Sequence, residues 1–221
     1  MEEILRRVKG ANTLSYEKEV IVVDDGSTDN SKVKISAFAP AAGGTTTDKQ
    51  NIKIISHEKN QGKGAAIRTG LGQATGDLVL IQDADLEYGP ENYQTLLSAF
   101  GADNPVIYGS RNIIPREKNY FYCFLGSKLL DLFINLLFNS KLTDAYTGYK
   151  LFKADIIKNL NLQSNGFEIE AEITAKLLKQ GIKIKEVPIT YSPRKYSEGK
   201  KIRFKDWFVG LWTIVKNKLR R

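Results

Sequence analysis

Two aspartates, Asp83 and Asp85, stand two residues apart where the apolar run Leu78-Val79-Leu80-Ile81 ends. In an extended chain alternate side chains share a face, so both carboxylates project to one side, within reach of a single hard cation. Magnesium and manganese are commonly held by one or two carboxylates together with oxygens of a bound phosphate, so the pair points to a nucleotide-linked substrate. Asp-x-Asp also occurs in ordinary solvated turns, and only the neighbouring motifs tip the balance. Upstream, Glu19 to Val23 reads as a strand running into Asp24-Asp25-Gly26-Ser27-Thr28-Asp29, with Ser27 or Thr28 expected to cap a helix. The strand Asn51 to Ser56 is followed by Asn60-Gln61-Gly62-Lys63-Gly64, expected to open a helix from Ala65 to Ala74 that Gly76 ends. A glycine-flanked lysine at a helix N-terminus can hold an anion with backbone amides and one mobile positive charge.

These motifs need a frame. Strands alternate with helices up to Gly109, the pattern of a mostly parallel sheet covered by helices, and the carboxyl ends of such strands are the usual ligand-facing edge. A helix is expected from Phe167 to Gln180, then a strand from Ile182 to Val187. The small, polar stretch Ala37 to Gln50 reads as a surface loop. With 221 residues, 42% of them hydrophobic, the chain suits one core. The single cysteine, Cys123, excludes an internal disulfide framework and suits a reducing compartment. The single histidine, His57, excludes histidine triads and most zinc sites, and reads as a structural loop residue. No secretory leader is legible at the start, and no uncharged stretch reaches spanning length, so a cytoplasmic position, or one on the cytosolic face of a membrane, is expected.

Charge is concentrated at one end. Residues 183–221 carry twelve Lys or Arg against Glu186, Glu198 and Asp206, a net of +9 within a total of +8. No nucleic-acid-binding signature accompanies it, so anionic lipid headgroups and a sugar nucleotide's diphosphate are the better partners. From Tyr120 to Phe138, fourteen of nineteen positions are apolar, and Lys128, Asp131, Asn135 and Asn139 form one narrow polar stripe. Such a helix either lies in a membrane interface or packs into a core or dimer seam. The segment Phe204 to Leu219 has the same character with basic residues at its far end. Residues 1–200 thus read as a catalytic domain and 201–221 as a basic amphipathic helix.

The order Val-Val-Asp-Asp-Gly-Ser-Thr-Asp, Asn-Gln-Gly-Lys-Gly-Ala-Ala-Ile-Arg-Thr-Gly and Gln-Asp-Ala-Asp-Leu-Glu-Tyr resembles the family-two inverting glycosyltransferases, most of all the dolichol-phosphate mannose and glucose synthase group. The likeness continues through Gly109-Ser110-Arg111-Asn112, Leu142-Thr143-Asp144-Ala145-Tyr146-Thr147-Gly148-Tyr149-Lys150, Glu186-Val187-Pro188-Ile189, Arg194 and Glu198-Gly199-Lys200-Lys201, covering about residues 1–215. The sequence departs from the pattern at Tyr146, Gly89 and Asn92, where acidic residues are expected. It also starts inside the helix that follows the family's first strand, so that central strand is expected to be missing and its neighbours' edges unpaired.

The resemblance implies a glycosyltransferase-A-type, Rossmann-like fold with helices on both faces, and transfer of a hexose from a nucleotide diphosphate sugar (GDP-mannose or UDP-glucose type) to a polyprenyl phosphate, with inversion. It implies Mg²⁺ or Mn²⁺ on Asp83 and Asp85; Val23, Asp25 and Lys63 on the nucleotide side; and Ala84 and Glu87 beside the donor. Arg111, Arg194 and Lys200 would surround the diphosphate or acceptor phosphate, and Asp144 would face the acceptor as candidate base. A lipid phosphate is already ionised near neutral pH, so Asp144 need only orient it; a hydroxyl acceptor would require the base. The alternatives are a glycosyltransferase acting on a saccharide hydroxyl and a non-catalytic domain that binds a membrane or partner.

Overall fold

The computed structural model describes residues 2–36, 51–114, 121–193 and 204–220. In chain order these form α1 (Glu2–Gly10), β1 (Glu19–Asp24), α2 (Ser31–Ser36), β2 (Asn51–Ser56), α3 (Lys63–Gln73), β3 (Leu78–Ile81), a 3-10 turn (Pro90–Asn92), α4 (Tyr93–Ala99), β4 (Val106–Ser110), α5 (Phe121–Phe138), β5 (Lys150–Lys153), α6 (Ala154–Asn159), α7 (Ile169–Lys179), β6 (Lys185–Pro188) and α8 (Phe204–Leu219). The loop read from Ala37 to Gln50 lies outside the described residues.

Strand alternation sorts the core. Ile107 and Leu151 turn to one face, where they meet Ile4 and Val8 of α1 and Leu96 and Leu97 of α4. Their neighbours Val106, Tyr108 and Phe152 turn to the other, against Ile157 of α6 and Ile169, Ile173 and Leu177 of α7. Helices therefore cover both faces, as expected.

The strand order is β3-β5-β4-β6 in one sheet and β1-β2 in another. The larger sheet is mixed rather than mostly parallel, since β5 runs antiparallel to both neighbours while β4 and β6 are parallel. The connection explains this. β5 starts beside the carboxyl end of β4, where Gly109 N–H donates to Tyr149 O at 2.8 Å, and so runs back along it. β1 pairs in parallel with β2 from Glu19↔Asn51 to Asp24↔Ser56. β1 and β3 each keep one edge outside any strand pairing among the described residues, and both are only partly buried. Val20 of β1 and Leu78 and Leu80 of β3 share the cluster built on α1.

One helix reading changes and another narrows. α2 starts at Ser31, later than Ser27 or Thr28, because Asp29 accepts the Ser31 N–H at 2.9 Å and so starts the helix there. Of the two readings of α5, packing into the core holds for its polar side, where Lys128, Asp131 and Asn135 turn inward while Asn139, just past the helix, is exposed. Lys128 donates to Thr143 O, Asn135 bonds both backbone groups of Leu142, and Asp131 accepts the Ala145 N–H at 2.8 Å. Leu130 and Ile134 are buried with Leu142, Ala145, Ala171 and Ile214, whereas Leu129, Leu132 and Leu136 face outward at 47%, 65% and 81% exposure. The stripe exists to hold the 142–145 loop, whose backbone groups would otherwise be buried without partners.

The boundary drawn at residue 200 falls in the undescribed stretch 194–203. α8 itself is packed on α5 and α7 through Ile214, Thr213 and Asn217. No helix among the described residues is long and apolar enough to cross a membrane.

Candidate active site

The carboxyl end of β1 and the start of α3 are joined by Asp25. Its carboxylate accepts Gln61 N–H at 2.9 Å, Gly62 N–H at 2.7 Å and a 2.7 Å contact from His57 Nδ1, whose Nε2 lies 2.9 Å from Thr69 Oγ1. Burial works against its charge, but these donors hold Asp25 below the usual carboxylate range. The anion at this loop is thus the protein's own Asp25, and Gly64 and Ala65 donate to Asn165 O. The glycines are sterically required, because a Cβ on Gly62 or Gly64 would lie 2.4 or 2.3 Å from the carbonyl oxygens of Asn165 and Ser164. Val23, half-buried on β1, lies under α3. His57 is structural, as expected, and its partner is a residue assigned to the donor side.

Lys63 turns away from that loop toward Asp83, just past the end of β3. Its Nζ lies 2.8 Å from Asp83 Oδ1 and 2.9 Å from Glu170 Oε1 at the start of α7. Behind Glu170 stands Lys150, fully buried, paired with Glu170 Oε2 and donating to Thr147 O. Burial opposes the charge on Lys63, yet Asp83 and Glu170 outweigh it and hold the ammonium well above its usual range. Burial likewise opposes ionisation of Glu170, and the two lysines overcome it. Gly148 lies against this cluster; a Cβ there would sit 2.4 Å from Asp83 Oδ2 and 3.2 Å from Lys63 Nζ.

Asp85 is half-buried and accepts the Glu87 N–H at 3.1 Å. Ala84 between the aspartates is exposed, and Glu87 accepts from Tyr191 Oη at 3.0 Å. No cluster of three acidic, histidine or cysteine side chains suited to a metal occurs among the described residues. Two carboxylates at an open strand end are a donor set that fits a cation whose other ligands are phosphate oxygens and water. Asp83 and Asp85 would hold it, with Lys63 beside them.

Just past the carboxyl end of β4, separated from β3 by β5, Arg111 and Asp144 form a two-point pair. Nε and Nη2 each donate to one carboxylate oxygen at 2.7 Å, and the Arg111 backbone N–H adds a third bond at 2.9 Å. Asp144 is closed to solvent. Its carboxylate, expected to face the acceptor, is engaged by Arg111 in this structure, because burial of that carboxylate requires the guanidinium against it. Glu186 accepts the backbone N–H groups of Thr143 and Asp144 at 2.7 and 2.8 Å, fixing the turn. Tyr88 links the halves of the site: its ring lies 6.0 Å below the Arg111 guanidinium and its hydroxyl accepts the Gly148 N–H at 3.3 Å. Arg111 also lies 5.3 Å over the Tyr191 ring. Arg194 and Lys200 lie outside the described residues.

The departures from the family pattern have packing roles. Asn92 bonds Gly89 O and both backbone groups of Thr190. Tyr146 is partly buried with its hydroxyl over Gly210 of α8, where a Cβ would lie 2.3 Å away. Sequence reasoning missed Glu170, and named Lys150 and Asp131 only within a motif and a polar stripe, without the roles they take here. Glu170 sits among Glu168 and Glu172 at a helix start, a pattern that also suits solvent and the helix dipole; only the fold turns one of the three onto Lys63.

The sequence profile of glycosyl transferase family 2 matches residues 1–160, and the chain belongs to that family. It is 29% identical over 205 residues to the dolichol-phosphate mannosyltransferase of Pyrococcus furiosus, covering 90% of this chain and 55% of that protein. It is 27% identical over 207 residues to the polyprenol monophosphomannose synthase of Mycolicibacterium smegmatis, covering 88% and 76%. A hexosyltransferase of low-salt glycan biosynthesis from Haloferax volcanii is 28% identical over 79% of the chain and 40% of its own length, so the chain spans about half the length of several curated relatives. The fold superposes on glucosyl-3-phosphoglycerate synthase from Mycobacterium tuberculosis, solved with Mn²⁺, UDP and glucosyl-3-phosphoglycerate, with a TM-score of 0.65 over 90% of this chain and 68% of that one at 17% identity. The fold is therefore of the glycosyltransferase-A type.

Proposed function

We propose that this chain carries the catalytic domain of an inverting glycosyltransferase that moves a hexose from a nucleotide diphosphate sugar to a polyprenyl phosphate. The observation that carries this reading is the pairing of the Asp83–Asp85 strand end with the buried Arg111–Asp144 fork, joined through Tyr88. One half suits a cation-bridged diphosphate and the other an oxyanion, as a reaction between two phosphate-bearing substrates requires. Mg²⁺ or Mn²⁺ at Asp83 and Asp85 would neutralise charge on the departing diphosphate. Lys63 meets the same diphosphate, while Val23 and Asp25 border the nucleotide and Ala84 and Glu87 the sugar. Arg111, with Arg194 and Lys200, receives the acceptor phosphate, which is ionised near neutral pH and needs no base. Asp144 orients Arg111.

The relatives' names support a lipid-phosphate acceptor, and the outward face of α5 and α8 supports a peripheral position on the cytosolic side of a membrane. Leu129, Leu132 and Leu136 of α5 are exposed, as are Phe208, Val209 and Trp212 of α8, and Lys216, Lys218 and Arg220 lie at and just past the end of α8. The test supplies labelled GDP-mannose and UDP-glucose with a short polyprenyl phosphate and Mg²⁺ or Mn²⁺. Label in an organic-soluble, mild-acid-labile product is expected. Label transferred only to a saccharide hydroxyl, or no turnover with vesicle binding intact, would replace this reading.

A further inference from the structure

Four charges at the strand end form a chain that reaches from solvent into the core: Asp83, Lys63, Glu170 and Lys150. Asp83 is part-exposed, Lys63 is largely covered, and Glu170 and Lys150 are buried. The group is neutral as a whole. A carboxylate that receives a divalent cation must give up or share any ammonium already resting on it, because the two positive charges repel at contact distance. For Lys63 that release would be costly if Asp83 were its one anion, since a covered ammonium without a partner is strongly disfavoured. Glu170 removes that cost by contacting Lys63 at 2.9 Å as a second carboxylate. Lys150 and the Thr147 carbonyl behind it pin Glu170 in place and keep it ionised. Gly148 keeps the space between Asp83 and Lys63 clear.

We propose that Glu170 is a positioning residue for the cation site: it serves as the reserve counter-ion of Lys63, so that Asp83 can pass from the ammonium to a divalent cation without stranding a buried charge. This rests on the reading of Asp83 and Asp85 as cation ligands. Glu170 touches neither cation nor substrate and acts through Lys63. Lys63, still charged and still anchored, is left facing the diphosphate.

The test is Mn²⁺ binding to the full chain, followed by electron paramagnetic resonance without substrate. Glu170→Gln leaves Lys63 with Asp83 as its remaining carboxylate, so Mn²⁺ affinity should fall about tenfold or more, and adding Lys63→Met should return it to within about threefold of the parent. A merely structural role for Glu170 would lower the unfolding midpoint without that rescue. Folded Glu170→Gln with parental affinity, or a loss that Lys63→Met does not reverse, overturns the proposal while leaving the cation site intact. If the parent protein shows no Mn²⁺ binding sensitive to Asp85→Asn, the cation site and this inference both fall. Should Glu170→Gln not fold, nitrogen-15 lysine spectra of the parent decide: Mg²⁺ should shift the Lys63 ammonium signal and leave that of Lys150 in place, and an unmoved Lys63 signal at saturation overturns the proposal.

Discussion

Asp144 grips Arg111 at two points, each carboxylate oxygen 2.7 Å from a different guanidinium nitrogen, inside a turn that excludes solvent from the carboxylate. That relationship separates two chemistries. A general base must reach the proton that it removes, and this one is spent on a neighbouring cation. On the proposed reading, an arginine fixed by a buried carboxylate and two tyrosine rings is the group that would receive the acceptor phosphate.

Breaking the fork should therefore be severe for both folding and activity. Asp144→Ala leaves Arg111 unpaired, and urea unfolding should show a loss of about 3–5 kcal/mol. Arg111→Lys keeps the charge and loses the two-point geometry, so kcat/KM for the lipid phosphate should fall about 10²-fold with donor binding retained. Donor affinity lost in parallel with acceptor affinity would move Arg111 to the donor side.

Activity should depend on a divalent cation. On the proposed reading, Asp85→Asn removes one of two ligands to a cation that would balance charge on the leaving diphosphate, and a drop of at least about 10²-fold in kcat is expected. Full turnover in excess chelator would sink the assignment.

Gly148 offers a test that changes no charged group. The added methyl of Gly148→Ala would lie 2.4 Å from Asp83 Oδ2, so Asp83 must rotate off its position. Mn²⁺ affinity and turnover should both fall about tenfold or more while the unfolding transition stays cooperative. Unchanged Mn²⁺ affinity would argue that Asp83 does not ligate.

Asp131 should make stability depend on pH. Burial pushes its carboxyl up to about 7, with Asp144 adding to the rise and Lys128 and Arg111 opposing it, and Tyr146 is a further neighbour. The folded protein thus holds this proton more tightly than the unfolded chain. The stabilisation is complete below about pH 4 and is lost as pH rises through 7. Asp131→Asn keeps an acceptor for the Ala145 N–H and removes the titration, so above pH 7 it should be more stable than the parent by about 1–4 kcal/mol. The gap should close toward pH 4.5 in urea midpoints measured across that range.

The membrane reading predicts a split between two sides of one helix. Replacing Leu129, Leu132 and Leu136 by serine should leave the protein folded and weaken binding to anionic vesicles, because these side chains face outward. Leu130→Ser and Ile134→Ser should instead lower the unfolding midpoint sharply, as both are buried. Higher salt should weaken binding without abolishing it. Vesicle affinity unaltered by the triple replacement would assign that face to another partner.

What the sequence determined by itself was local. Hydrophobic runs ending in Asp25 and Asp85 marked two strand ends, since the period of a strand and the turn chemistry that stops it are written over a few adjacent residues. The Gly-Lys-Gly helix start was legible for the same reason, as was family membership through the order of motifs. The direction of β5, the inward polar stripe of α5 and the burial of Asp144 were decided only in three dimensions. Each depends on which distant backbone groups need a partner: the amide of Ala145 claims Asp131, and the carbonyl of Thr143 claims Lys128. A narrow polar stripe on a helix looks the same whether it meets water or a buried loop, because periodicity fixes the angle between faces and says nothing about what lies opposite them. Glu170 illustrates the limit most sharply. It is one of three glutamates within five residues, and what sets it apart is Lys63, more than a hundred positions earlier, brought to 2.9 Å by the packing of α3 and α7 against the same side of the sheet.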